Sequence, residues 1–232
     1  MGTLFIVATP IGNLKDISER AEETLKNADC IFAEDTRVAR KLLNVLGIRG
    51  KCVERLDEHA ESKKISFVKK LLKEGKDCAL ISDAGTPGIC DPGYRLVHAL
   101  RTGGVRIVPI PGPSAITSAL SIAGVSANQF LFLGYPPHKK GRKTFFEKMG
   151  SVETWPIVLF ESPHRIIKTL QDIQSALGQE QPVIVVRELT KIHEEVLAGS
   201  VSEILQKIKE GRDRGEFVVI VPEKEKRSSH ER

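Results

Sequence analysis

The residues best suited to chemistry in this chain collect in short turns, each placed directly after an apolar run. Leu4 to Ala8 runs into Thr9-Pro10-Ile11-Gly12-Asn13. Cys78 to Ile81 runs into Ser82-Asp83-Ala84-Gly85-Thr86-Pro87-Gly88-Ile89-Cys90-Asp91-Pro92-Gly93, and Arg106 to Pro109 leads to Pro111-Gly112-Pro113-Ser114-Ala115. Glycine lets backbone approach a ligand closely and proline fixes the shape of a turn. Such turns offer backbone N–H and C=O groups, which suits a polar, nearly neutral ligand carrying adenine, ribose and an amino acid. A second group of turns is charged: Glu34-Asp35-Thr36-Arg37, Glu161-Ser162-Pro163-His164-Arg165 and Arg187-Glu188-Leu189-Thr190-Lys191. Carboxylates and imidazole there are candidates for proton transfer. Arg37, Arg165, Arg187 and Lys191 are candidates to hold phosphate or polarise a ribose.

Several chemistries are excluded. No Walker A sequence is present, and no GxGxxG follows the first run, so neither the phosphate-binding loop nor the dinucleotide fingerprint is available. The four cysteines, Cys30, Cys52, Cys78 and Cys90, form no CxxC pair and have no histidine at metal-ligand spacing. They read as reduced thiols, and no metal is expected. No apolar stretch approaches the roughly 20 residues needed to cross a bilayer. The N-terminus lacks a basic segment before its apolar run, so it reads as a buried strand of a cytoplasmic protein.

The turns need elements to position them. The 232 residues suffice for two domains. Between the apolar runs lie segments of helical period. One starts at the cap Ser18 and carries Ala21, Leu25 and Ala28 inward; another spans Val38, Leu42, Leu43 and Leu46 and closes at Gly47; a third is capped by Ser62. Strands alternating with helices predict α/β units with a parallel sheet. The best boundary is the turn-rich segment Gly124 to Gln129, giving an N-terminal α/β domain over 1–124, a C-terminal α/β domain with a mixed sheet over 125–222, and a flexible tail over 223–232. The net charge of +5 fits a polyanionic partner without demanding one. His138-Lys139-Lys140-Gly141-Arg142-Lys143, beside Phe145 and Phe146, is the densest cationic stretch and is expected to touch RNA backbone through Lys139, Lys140, Arg142 and Lys143.

Taken together, the turns resemble those of the ribosomal RNA small subunit methyltransferase I family, within the tetrapyrrole methylase-like, class III S-adenosylmethionine-dependent methyltransferases. The matching segments run from Val7 to Lys191, nearly the whole chain; Ser82–Gly93 and Glu161–Arg165 are the most specific. The resemblance implies two Rossmann-like α/β domains with a cofactor cleft between them. It implies transfer of a methyl group from S-adenosyl-L-methionine to the 2′-hydroxyl of a cytidine in 16S ribosomal RNA near the decoding centre. The implied partners are the small ribosomal subunit and a second copy of the chain in a homodimer, with no membrane and no metal. By motif position, cofactor contacts fall on Pro10, Ile11, Gly85, Thr86, Ile89, Ser114 and Ala115, with Phe160 and Leu189 from the second domain. Glu161, His164 and Arg165, supported by Glu34 and Asp35, form the expected catalytic cluster. Glu34 and Asp35 also read as a salt-bridged loop with Arg37 and Arg40, and Arg187-Glu188 as an interdomain ion pair. A tetrapyrrole or other small-molecule methylase, and an RNA-binding module without catalysis, remain open on the same fold.

Overall fold

A computed structural model describes residues 1–56 and 61–224. The chain divides into two compact units, Met1–Ser114 and the remainder from Ala115. The first unit alternates β1 (Leu4–Val7), α1 (Glu19–Asn27), β2 (Cys30–Ala33), α2 (Thr36–Val45), β3 (Cys52–Arg55), α3 (Glu61–Lys73), β4 (Cys78–Ile81), α4 (Tyr94–Arg101) and β5 (Ile107–Ile110). Its five strands pair in parallel in the order β3-β2-β4-β1-β5. The inner strands β2 and β4 are buried at every residue, as expected of a sheet covered on both faces, while β3 and β5 are edges. Pro109 is tolerated because β5 is one of those edges.

The two faces are covered by different helices. On one face α1 and α2 bury Ala21, Leu25, Ala39 and Leu43 against Val7, Ile31, Ala79 and Ile81. On the other, α3 and α4 bury Val68, Leu72, Leu96 and Leu100 against Leu4, Phe32, Cys78 and Leu80. So the chain leaving β1 and β2 turns to one face and the chain leaving β3 and β4 to the other. Local chemistry agrees with the sequence reading: Ser18 caps α1 by accepting from the Ala21 N–H at 3.1 Å, and Gly47 ends α2 at φ 70°. The third helix starts at Glu61, so Ser62 lies inside it and is not its cap residue.

The second unit contains α5 (Ala115–Ile122), β6 (Leu131–Gly134), α6 (Arg142–Met149), β7 (Ile157–Glu161), α7 (Ile166–Leu177), β8 (Pro182–Arg187), β9 (Glu195–Ser200), α8 (Val201–Lys207) and β10 (Phe217–Val221). Its sheet is mixed, in the order β6-β7-β10-β8-β9. Strands β6 and β7 are parallel; β10 is antiparallel to both its neighbours, and β9 to β8. Helices α6, α7 and α8 cover one face. The other is covered by α5, which sets Ala119 and Leu120 against Val158, Ile184, Val218 and Ile220. This packing places the division at Ser114, before α5, whereas the sequence expectation put it after Gly124. Gly124 to Gln129 is a turn inside the second unit, where Val125 and Ala127 still pack on the sheet. The part of the expected tail from 225 onward lies outside the described residues.

Candidate functional site

In an open α/β sheet, ligands bind beyond the carboxyl ends of the strands, where neighbouring connections depart to opposite faces. In the first unit β4 is that strand, since its chain departs to one face and those of its neighbours β1 and β2 to the other. Its loop is tied down on the β1 side. Thr9 and Gly85 exchange both backbone hydrogen bonds, at 2.9 and 3.0 Å, in an antiparallel bridge. The buried Ser82 hydroxyl donates toward the carbonyls of Ala84 and Gly85. The Thr86 hydroxyl reaches the Pro113 carbonyl after β5 at 3.3 Å. At Gly85 the backbone has φ 81°, and a Cβ there would lie 3.4 Å from Ile11 Cγ2 and 3.8 Å from the Pro113 oxygen. The turns after β1, β4 and β5 therefore meet at one glycine, with Thr9, Ile11 and Pro113 against it, Thr86 beside it, and Pro10 and Ser114 the adjoining residues of their turns. Ile89 stands farther along the loop with 46% of its surface exposed, and Ala115 opens α5 in the second unit.

On the β2 side of the same loop, the Asp35 N–H donates to Asp83 Oδ1 at 3.1 Å. Asp35 caps α2 and takes the Arg37 guanidinium at 2.5 Å, which holds its carboxyl well below the usual range. Asp91, near the end of the loop, goes the other way. Burial, against a hydrogen bond with Ser82 and reinforced by the charge of Asp83, pushes it up to about 6. Asp91 was not among the sequence candidates, because burial and not residue type makes it unusual.

The second unit carries a different construction. Glu161, at the end of β7, is 1% exposed. One carboxylate oxygen accepts the Ser162 N–H at 2.8 Å and pairs with Arg165 at 2.7 Å; the other accepts the Thr169 hydroxyl. Thr169 in turn accepts from Arg142 at 2.8 Å, and Arg142 also holds Asp172 at 2.7 Å and the Pro137 carbonyl at 3.1 Å. Arg165 holds the Pro136 carbonyl at 2.9 Å. This buried chain fastens the turn after β6 to the turn after β7 and to α7. His164 stays exposed in the middle of its turn. Arg142 is only 5% exposed, so it is removed from the expected RNA-contacting set: its charge is spent inside the fold. Phe160 lies in an aromatic group with Phe132 and Tyr135, at ring separations of 5.0 and 5.6 Å.

Leu189 sits on the same sheet face as Phe160, between two strained residues. Glu188 (φ 51°) and Thr190 (φ 65°) both occupy the left-handed region, which costs a non-glycine residue on the order of 1 kcal/mol or more and tends to mark functional turns. Glu188 accepts from the Glu216 N–H and from Lys191 Nζ, both at 2.9 Å, and folds over Gly215, where a Cβ would clash at 2.5 Å. The Arg187 guanidinium reaches the Arg214 carbonyl at 2.5 Å and lies 3.7 Å from Glu195. These partners all lie within the second unit, so the Arg187-Glu188 pair ties that unit to itself, contrary to the interdomain expectation. The Thr190 hydroxyl oxygen is enclosed and has no partner among the described residues. An orphaned polar atom of this kind calls for an explanation, and a ligand is one.

A profile of the tetrapyrrole (corrin/porphyrin) methylases matches residues 3–205. A ribosomal RNA small subunit methyltransferase I from Thermotoga maritima is 43% identical, over 97% of this chain and 100% of the relative. The chain belongs to this methyltransferase family. A relative of the same name from Escherichia coli O157:H7 is 44% identical, over 95% of this chain and 77% of its own length. Among solved structures, the cobalamin biosynthetic enzyme cobalt precorrin-4 methyltransferase superposes with a TM-score of 0.69 at 18% identity, over 95% of this chain and 94% of that one. That likeness shows the shared α/β architecture. Among the described residues, no helix is long and apolar enough to cross a membrane, and no group of three or more His, Cys, Asp or Glu is placed to hold a metal ion.

Proposed function

We propose that this chain transfers a methyl group from S-adenosylmethionine to small-subunit ribosomal RNA in the cytoplasm, at the 2′-hydroxyl of a cytidine ribose near the decoding centre, and that it works as a homodimer. Methyl transfer and its donor come with the family, and the RNA substrate follows the relatives that match along its length. Tetrapyrrole substrates belong to the family's description and to a neighbour whose likeness extends to fold alone. The observation that carries the reading is the meeting of three turns at Gly85, beside the strand where connections change face.

The residues fit the donor. In the first unit Gly85 takes a left-handed turn beside the ends of β1 and β5, and in the second the enclosed Thr190 oxygen lacks a partner that a polar ligand would supply. Pro10, Ile11, Gly85, Thr86, Ile89, Ser114 and Ala115 would hold the donor, with Phe160 and Leu189 from the second unit. Bound there, S-adenosylmethionine supplies a methyl group on a cationic sulfur. The protein's own task is to orient the acceptor oxygen and take its proton. Among the expected catalytic residues the roles divide. Glu161 has both oxygens engaged and acts by holding Arg165 and the turn in place. His164, exposed on that turn, is the group free to take a proton from the ribose hydroxyl. Asp35 is occupied by its cap and by Arg37, so with Glu34 it shapes the β2 edge of the site.

The test is incubation of the purified protein and labelled donor with 30S subunits from a strain lacking this methylation, followed by mapping of the label. Label on one cytidine ribose is the expected result. No label on 30S subunits, or label on a base, contradicts the reading. Light scattering checks the dimer, with a mass of twice the 25.6 kDa chain expected.

A further inference from the structure

Between α6 and α7, wholly within the second unit, lies a concave pocket of about 470 Å³. Its lining includes Lys139, Arg142, Lys143, Lys168, Glu147 and Asp172. We propose that this pocket seats a backbone phosphate of the RNA substrate, held by Lys139, Lys143 and Lys168; the proposal rests on the reading of the substrate as RNA.

The charges decide what the pocket can take. Arg142 forms part of the wall, with its guanidinium 5.1 Å from the Phe146 ring centre and bonded to Asp172, Thr169 and the Pro137 carbonyl. That pairing cancels Asp172. Glu147 is the remaining acid, and it lies 3.6 Å from Lys143 with both side chains more than half exposed. A pair of that kind is worth little and does not withhold Lys143 from a stronger anion. Lys139 and Lys168 have no ion pair among the described residues, and His138 adds a further donor at the rim. The pocket is therefore cationic on balance, concave, and built on a rigid wall.

Its place in the fold suits RNA in particular. Lys168 stands on α7 three residues after Arg165, one helical turn from the Glu161–Arg165 turn. A polynucleotide whose ribose is presented to that turn carries phosphates on both sides of it. The buried chain from Arg142 through Thr169 to Glu161 links the pocket wall to the same turn, so the two are held in fixed relation. Sequence reasoning singled out the cationic stretch at 138–143. It missed Lys168, because only the packing of α6 against α7 brings that residue to the stretch.

The experiment compares wild type, Lys139→Ala/Lys168→Ala and Glu147→Gln in binding to 30S subunits over a range of KCl concentrations, with S-adenosylmethionine affinity measured alongside. For the double variant, the slope of log K against log salt is expected to flatten by about 1.5 and affinity to fall roughly tenfold. Donor affinity is expected to hold. Glu147→Gln, which removes the opposing acid, is expected to tighten RNA binding about twofold. An unchanged slope in the double variant, where the wild type binds and methylates 30S subunits, overturns the pocket alone. A wild type that does neither overturns the RNA reading, and the pocket with it.

Discussion

The turns that leave the first sheet and those that leave the second are organised on opposite principles. In the first unit the site is made of backbone: a two-bond bridge between Thr9 and Gly85, a hydroxyl on the Pro113 carbonyl, and a glycine in a left-handed conformation that a side chain disfavours. In the second it is made of buried side chains, with Glu161, Thr169 and Arg142 almost wholly enclosed and bonded in sequence. Backbone groups suit a donor of fixed shape. A polar scaffold suits a site that must hold charged groups steady beside a polyanion. The lesson is that the two units order their turns by different means, one through backbone bonds and the other through a buried network of charged and polar side chains.

Three substitutions sharpen that contrast. Glu161→Ala should have the largest effect, because it strands Arg165 in the interior without its counter-charge. A loss of about 3–5 kcal/mol of stability is expected, read by urea unfolding. A loss under about 1 kcal/mol would mean that the network is not the scaffold described. Asp91→Asn should act in the first unit with the opposite sign. The folded state binds the Asp91 proton more tightly than the unfolded chain does, since burial lifts this acid from an ordinary 3.8 to about 6. Stability from this group is thus present at low pH, declines as pH rises from about 4 to about 6, and stays lower above that. The amide removes the cost of ionisation. After allowance for solvent screening, Tm is expected to rise by about 2 °C at pH 7.5 and to be unchanged at pH 4. An equal rise at both pH values would assign the effect to packing. The smallest effect belongs to Arg37→Ala. Its pair with Asp35 is short, but the arginine side chain is 85% exposed, and the Tm of the variant should match that of the wild type within the error of a thermal melt.

The backbone-built half was the more legible in the sequence. Glycine and proline after apolar runs report directly on turn geometry, so the turns after β1, β4 and β5 stood out before the fold was known, while the choice of Pro10, Ile11, Gly85 and Thr86 within them came from the family resemblance. Strand alternation and the caps at Ser18 and Gly47 followed from local patterns for the same reason. The side-chain network was not legible. Thr169 looks like an ordinary helix residue and Arg142 like one more cation in a basic stretch; burial, which sequence pattern does not encode for long polar side chains, gives them their roles. Helix α6 was hidden by its charged surface, although Phe146 and Met149 lie three apart on its buried side. Helix α8 did leave a signal. Ser200 and Glu203 form a capping box whose spacing is visible in the chain. The unit boundary was misplaced because turn-forming residues at 124–129 mark a bend, whereas the covering of the second sheet by α5 is a matter of tertiary packing.

Everything in the functional account depends on the donor lying against the Gly85 turn. Titration calorimetry of S-adenosylmethionine into the wild type and into Gly85→Ala tests this directly. The substitution forces a side chain into a left-handed backbone position within contact of Ile11, and should weaken the donor at least about tenfold while leaving binding to 30S subunits in place. Equal donor affinity in the two proteins, or no measurable binding to the wild type, would contradict it.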